Sequence, residues 1–235
     1  MLSQKVLASV AVIALLAAPS YSNAQNILWD QQPDTNIQQI IDQDIPDQAI
    51  FSTYAVNDVT LAGAGGGFLI DSVTTFFTNG SGAWPAGVTT GVLNIFDGDA
   101  LTAADDPTTG GDFGPGSVSI NVTDLGNNVL AVTASGLNIT LADGTYWFGL
   151  SPSAGSGLPQ EFHFSAGSTV GALSQSRNPG GGFGLGSDWF DSNTLAGPFL
   201  DTSLTVTGQE IIVPEPTTAG LLALGMFGMV ARRRR

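Results

Sequence analysis

Residues 137–150 have the sequence Leu-Asn-Ile-Thr-Leu-Ala-Asp-Gly-Thr-Tyr-Trp-Phe-Gly-Leu. Two short apolar stretches, rich in β-branched and aromatic residues, flank the pair Asp143-Gly144, and residues of these types favour strands. A tight Asp-Gly turn requires positive φ angles, which glycine adopts readily, so this stretch predicts a β-hairpin. The pattern of short apolar runs bounded by glycine indicates an all-β fold.

The same pattern extends to both sides of this stretch. In residues 117–122 apolar and polar side chains alternate, as in a strand with one buried face. Strands are predicted at 51–56, 68–78, 91–96, 117–122, 130–134, 137–141, 145–150, 161–164, 170–174 and 202–207. Strands at this spacing, without long helical patterns between them, are typical of a β-sandwich or a β-barrel. We predict a jelly-roll-like β-sandwich at residues 51–212, preceded by a mostly extended lead-in at residues 25–50.

The composition excludes several classes of site. The chain has 235 residues with 31 glycines, one histidine and no cysteine, so it holds no disulfide, thiolate metal site or multi-histidine metal site. Charged residues make up 11% of the chain, well below the roughly 25% of an ordinary globular domain. This polar but weakly charged composition favours an exported β-protein over a cytosolic enzyme.

The charge is strongly acidic, with a formal net charge of −14. Between residues 25 and 212 the one Lys or Arg residue is Arg177, whereas all but one of the 20 acidic residues lie there. Lys and Arg are what neutralise phosphate groups. We therefore predict no nucleic-acid partner.

The N-terminal residues 1–24 have the three parts of a secretory signal peptide. Lys5 precedes an apolar run at residues 6–18, and a polar stretch ends at the small residue Ala24. Cleavage after Ala24 would leave Gln25 first, after delivery by the Sec export machinery. An uncleaved anchor or a buried helix is the alternative, although the apolar run is short for a membrane span.

The C-terminal residues 213–235 also have three parts. Pro214-Glu215-Pro216 precedes an apolar run at residues 219–231, and the chain ends with Arg232, Arg233, Arg234 and Arg235. The prolines keep their segment out of helix and sheet, so a protease can reach it. As a helix the run is roughly 20 Å long at about 1.5 Å per residue, short of the hydrocarbon core of about 30 Å. The arginines are expected to stay on the cytoplasmic side of this transmembrane helix.

This tail resembles the PEP-CTERM sorting signal of Gram-negative and related bacteria. The resemblance implies recognition at Pro214, Glu215 and Pro216 by exosortase, a membrane-embedded protease-transpeptidase. It also implies transient anchoring in the inner membrane, followed by location at the cell surface or in the extracellular matrix, with links to exopolysaccharide and biofilm. An ordinary tail anchor is the alternative interpretation.

An acidic loop is the candidate metal site. Asp97, Asp99, Asp105 and Asp106 lie in a connection rich in Ala, Thr and Gly, and calcium takes six to eight oxygen ligands. The spacing does not match an EF-hand. Calcium is therefore the one cofactor considered, and a solvated acidic loop is the alternative.

Aromatic and polar side chains on glycine-rich loops are the candidate glycan contacts. They are Trp84, Arg177, Asn178, Asp188 and Trp189. Their rings could stack on sugar faces and their polar groups could bind hydroxyls. The alternative is that such aromatic residues fill the core near strand ends.

The single histidine lies in Glu161-Phe162-His163-Phe164. On an alternating strand Glu161 and His163 share a face, and we expect a solvent-facing pair rather than a catalytic one. The resulting prediction is an exported, non-catalytic surface or matrix protein. The alternative is a secreted carbohydrate-binding module or a glycan-active enzyme.

Both ends should be processed in cells that carry a working sorting protease. Mass spectrometry of the exported protein is expected to show Gln25 as the first residue and nothing beyond the region of Pro214-Glu215-Pro216. An exported form that still contains Arg235 would contradict the sorting interpretation.

Overall fold

The structure is a computed structural model that describes residues 20–21, 25–36, 39–63, 65–196 and 201–212. Most of the predicted signal peptide and the whole tail at 213–235 lie outside the described residues. Within the described ranges, no helix is long and apolar enough to cross a membrane. The predicted membrane helix at 219–231 lies outside them.

Strands dominate the described residues. They are β1 (Ser20–Tyr21), β2 (Asn26–Gln31), β3 (Gln39–Ile41), β4 (Tyr54–Leu61), β5 (Phe68–Thr78), β6 (Thr90–Asp97), β7 (Gly116–Ser119), β8 (Asn121–Gly126), β9 (Val129–Leu141), β10 (Gly144–Pro152), β11 (Phe162–Phe164), β12 (Gln175–Arg177), β13 (Phe190–Asp191) and β14 (Leu204–Ile212). A 3₁₀ helix spans Pro46–Phe51, and one-turn α-helices span Trp84–Gly87 and Asn193–Ala196.

The strands form two antiparallel sheets. In the first sheet β14 lies between β2 and β5, β5 pairs with β9, and β9 pairs with β8. The short strands β1, β3 and β11 extend this sheet. The second sheet has the order β13-β12-β4-β10-β6-β7.

The order of pairing is that of a jelly roll. The pairs are nested along the chain. β2 pairs with β14, and within that segment β4 pairs with β10, β5 with β9, and β6 with β7. A long hairpin rolled on itself pairs its strands in this way, and the roll divides them between two sheets. The all-β prediction is confirmed.

The main core lies between the two sheets. It contains Ile70, Val73 and Phe77 from the first sheet, and Leu93, Ile95 and Phe148 from the second, all of them fully buried. Val73 and Phe77, like Leu93 and Ile95, lie an even number of residues apart, as the alternation of inward and outward side chains requires. Ile70 and Val73 lie three apart because the register shifts between Ile70 and Ser72.

The hairpin predicted at Asp143-Gly144 is wrong. β9 and β10 belong to different sheets, and Asp143 lies in the link that crosses between them. Gly144 does not adopt the positive φ of a tight hairpin turn. The crossing lets both strands bury their apolar faces, because Leu141 and Phe148 belong to the same core.

The predicted domain boundary at residue 51 is too late. β2 pairs with β14 along residues 26–31, and Trp29 packs against the main core. The lead-in is therefore part of the sandwich. The strand predicted at 170–174 forms instead at β12, and the one predicted at 117–122 divides into β7 and β8.

The two ends of the sandwich differ in what they carry. β5 begins at Phe68, which pairs with Glu210 near the end of β14, and we call this end the tail pole. β5 ends at Thr78, beside the start of β9, and we call this end the distal pole. β5 has 11 residues, so the poles lie roughly 33 Å apart at about 3.3 Å per residue.

Phe148→Ala tests the central core. Phe148 is fully buried, and removing a buried phenyl ring costs about 3–5 kcal/mol. Urea unfolding should show a loss of this size for Phe148→Ala, and a much smaller loss for Phe113→Ala, since Phe113 is 42% exposed. Equal losses in the two variants would contradict the assignment of the core.

Candidate functional site

A two-lobed groove lies at the distal pole. Its first lobe, about 330 Å³, is lined by residues that include Gln43, Gln48, Phe51, Ser156, Gln160 and Phe183. Its second lobe, about 380 Å³, is lined by residues that include Thr78, Ser81, Asn128, Gln160, Glu161 and Phe162. Gln160 lines both lobes, so we treat them as one feature, the distal groove.

The groove follows from the strand ends at this pole. Residues 153–161 leave β10 at Pro152 and cross the pole to β11, and they form the wall shared by both lobes. Two contacts hold this wall. Ser156 N donates to Asp47 Oδ1 over 2.8 Å, and the buried Trp84 donates from Nε1 to Pro159 O over 2.9 Å. Hydrogen bonds from the Ser156 hydroxyl and amide lower the pKa of Asp47.

The first lobe combines rings with an unpaired amide oxygen. Phe51 and Phe183 pack edge to face with their centroids 5.4 Å apart. Gln43 is fully buried and donates from Nε2 to Ala154 O over 3.0 Å. Its Oε1 has no hydrogen-bond partner among the described residues.

The second lobe contains a carboxylate whose acceptor positions are filled. Glu161 Oε2 accepts from Thr78 Oγ1 (2.6 Å) and Gly80 N (2.9 Å), and Oε1 accepts from Ser81 N (2.9 Å) and Ser81 Oγ (2.6 Å). Burial by itself raises the pKa of Glu161, but these four hydrogen bonds outweigh it and lower the pKa. The carboxylate therefore holds the loop after β5 and is already saturated with donors.

The prediction that His163 faces solvent beside Glu161 is wrong. His163 is 1% exposed and stacks on Phe77 with centroids 4.7 Å apart. Its Nδ1 lies 2.8 Å from Asp42 Oδ2, and its Nε2 donates to Ser203 O over 2.9 Å. Because β11 lies inside the first sheet, the imidazole points into the interior. Asp42, whose other oxygen accepts from Ala55 N and Ser151 Oγ, is the side-chain partner of the imidazole there.

Three predicted glycan contacts are buried, and for these the prediction is wrong. Trp84 and Asn178 are 0% exposed, and Asn178 donates to Ile50 O and Ser52 O. Arg177 is 8% exposed, and its guanidinium donates to the backbone carbonyls of residues 187, 105 and 103. These side chains join loops and present no free surface to a sugar.

Trp189 and Asp188 lie away from the distal groove. Trp189 is half-buried against Phe96 and donates from Nε1 to Asp105 O over 2.9 Å. The Arg177 guanidinium lies 6.0 Å from its ring centroid. Asp188 is exposed. Glycan contact by Asp188 and Trp189 stays a prediction.

The candidate calcium ligands are not brought together. Asp105 Oδ2 accepts from the amide and hydroxyl of Thr102, and Asp106 Oδ1 accepts from those of Thr108. Asp97 Oδ1 accepts from Asp99 N. Among the described residues no three acidic or histidine side chains lie close enough to hold a metal ion. Three of the four aspartates therefore cap local turns of the loop.

Sequence reasoning missed the residues that line the groove. Gln43, Gln48 and Gln160 carry no motif, and only the path of residues 153–161 across the pole brings them together. The exposed ring of Phe162 was the one available signal, since it alternates with the buried His163.

Comparison with known proteins identifies the tail. Residues 213–235 match the family model of the PEP-CTERM protein-sorting motif, as the resemblance of this segment predicted. The motif implies export, membrane-associated sorting and processing by exosortase, a membrane protein. No curated protein and no solved structure matches the chain.

Glu161→Gln tests the saturated carboxylate. The variant amide nitrogen would face an N–H or O–H donor, so we expect a loss of about 2 kcal/mol in the free energy of unfolding at pH 7. The folded-state pKa of Glu161 is lowered, so its stabilising effect is complete above the usual value of about 4.3 and is lost as the pH falls through the folded-state pKa. The difference in the free energy of unfolding between Glu161→Gln and the unchanged protein should therefore become smaller at acidic pH.

Asp201→Asn is the matched control for this measurement. Burial raises the pKa of Asp201. Its Oδ2 accepts from Gln31 Nε2 (2.8 Å) and Val170 N (2.7 Å), and the backbone of Ser174 also acts on the carboxyl, whereas within the described ranges Oδ1 has no hydrogen-bond partner. The oxygen of an asparagine could keep these acceptor contacts without the charge. The loss in the free energy of unfolding of Asp201→Asn at pH 7 should therefore be close to zero. A larger loss for Asp201→Asn than for Glu161→Gln would contradict both assignments.

Proposed function

We propose that this chain is a non-catalytic protein of the cell surface or extracellular matrix, associated with exopolysaccharide or biofilm. The Sec machinery exports it, the tail holds it for a time in the inner membrane, and exosortase processes it at Pro214-Glu215-Pro216. Its jelly-roll domain is the part that acts outside the cell.

The observation that carries this proposal is the position of the tail relative to the domain. β14 ends at Ile212 at the tail pole, and the sorting motif matches from the next residue. The distal groove opens at the other end of β5, roughly 33 Å away at about 3.3 Å per residue. A membrane or matrix attachment at the tail would leave the groove accessible.

His163 and Glu161 are the two side chains that most resemble a catalytic pair, and their contacts support a non-catalytic role. Both nitrogens of His163 are engaged, one by Asp42 and one by Ser203 O, and the ring is buried. Glu161 accepts four hydrogen bonds and its pKa is lowered. A general acid in a glycosidase requires a raised pKa, which is the opposite shift.

Replacement of Pro214-Glu215-Pro216 by three alanines tests whether the protein is sorted and processed through its tail. Alanine favours helix, so the apolar helix would extend outward and bury the cleavage region. Cell fractionation and immunoblotting should show the precursor accumulating in the membrane fraction. Phe113→Ala, an exposed change in the domain, should be processed normally.

Grafting residues 213–235 onto an unrelated exported reporter is the converse test. The reporter should be shortened and follow the same route in cells that carry the sorting protease, and remain unprocessed in cells that lack it. An alanine variant that reaches the surface at its normal size, or a graft that is never processed, would favour a plain tail anchor.

A further inference from the structure

We infer that the distal groove binds a strand of neutral polysaccharide. The inference deepens the proposed function and rests on it for the setting in which such a polymer is met. Four features of the groove support it: its two adjoining lobes, its polar lining, its exposed rings and its charge.

The groove offers two adjoining binding lobes. Each lobe has the volume of a small-molecule site. A ligand that crosses Gln160 contacts both lobes, because this side chain lines each of them. An extended chain fits this shape better than a single small molecule, which would occupy one lobe.

The polar lining suits hydroxyl groups. The lobes present the carboxamides of Gln48, Gln160 and Asn128. The hydroxyls of Ser156 and Thr78 already donate to Asp47 and Glu161, so each has only its acceptor side to offer. Carboxamides both donate and accept hydrogen bonds. A sugar hydroxyl does the same, so each carboxamide has a partner whichever way the hydroxyl turns.

An exposed phenyl ring lies in each lobe. Phe183, in the first lobe, is 36% exposed, and Phe162, in the second, is 38% exposed. Phe51 supports the first ring from its edge. Two rings along one groove provide apolar faces for the C–H surfaces of sugar rings, while the amides between them bind the hydroxyls.

The charge of the groove favours a neutral polymer over a charged one. Of the described residues that line it, none is Lys, Arg or His, so an anionic polymer finds no partner there. The acidic charge of the chain repels such a polymer further. A cationic ligand finds only Glu161, whose oxygens already accept four hydrogen bonds.

Binding of purified full-length protein in detergent tests the inference. Affinity electrophoresis and calorimetry would use dextran, laminarin, mannan and cellohexaose as neutral probes and alginate as the anionic probe. We expect at least one neutral probe to bind and alginate not to bind. Failure of all four neutral probes, or binding of alginate alone, would overturn the inference.

Substitutions in the groove place the binding site. Phe162→Ala and Phe183→Ala should each weaken binding of the neutral probe about three- to tenfold, the effect of one aromatic contact. Phe162→Tyr should keep most of the affinity because it keeps the ring. Phe113→Ala is the matched control, an equally exposed phenylalanine outside the groove, and should bind as the unchanged protein does.

A second variant guards against a folding defect. Gln160→Ala removes the side chain shared by both lobes and should weaken binding without changing the thermal midpoint. Unchanged affinity in Phe162→Ala, Phe183→Ala and Gln160→Ala together would overturn the inference. Sorting does not enter this measurement, so a protein that binds but is not processed contradicts only the proposed function. A protein that is processed but does not bind contradicts only this inference.

Discussion

The pairing of β14 with β2 on one side and β5 on the other is the constraint on which the rest of the structure depends. It places Asn26, the first residue of β2, beside Gly208, near the end of β14. Both terminal segments therefore leave the domain near one pole. The antiparallel direction of β5 then carries the chain to the other pole, where the loops are free to form a groove.

Buried polar groups hold these loops in place. His163 ties β11 to Asp42 and to the backbone beside β14. Glu161, two residues earlier, fastens the loop that follows β5. A buried charge costs free energy unless hydrogen bonds or an opposite charge compensate it, and here each has its partners. The floor of the groove is consequently made of groups that are already satisfied, whereas its walls offer amides and rings.

This division suits a protein that binds without catalysing a reaction. A carboxylate that acts as a general acid or base must change its protonation state during turnover, whereas the four hydrogen bonds to Glu161 lower its pKa and favour the charged form. The sorting motif at 213–235 supplies location, and the domain supplies a surface at the far end from it. The sorting motif and the proposed binding groove are thus separated along the length of the sandwich.

The sequence by itself determined the sorting motif and the all-β class, because both depend on local information. For the motif this is the order of residues in 213–235, and for the fold class it is short apolar runs bounded by glycine, such as 68–78, whose strand bounds were predicted correctly. The tertiary structure alone decided which strands pair. Asp143-Gly144 has the same local signal in a hairpin as in a crossing between sheets, and only the burial of Leu141 and Phe148 in one core selects the crossing. His163 contacts Asp42, which is 121 residues away in the chain. Trp84 is buried by its contacts with Phe77 and Pro159. Contacts between residues so distant in the chain have no signature in either neighbourhood, so the groove could be found only in the folded protein.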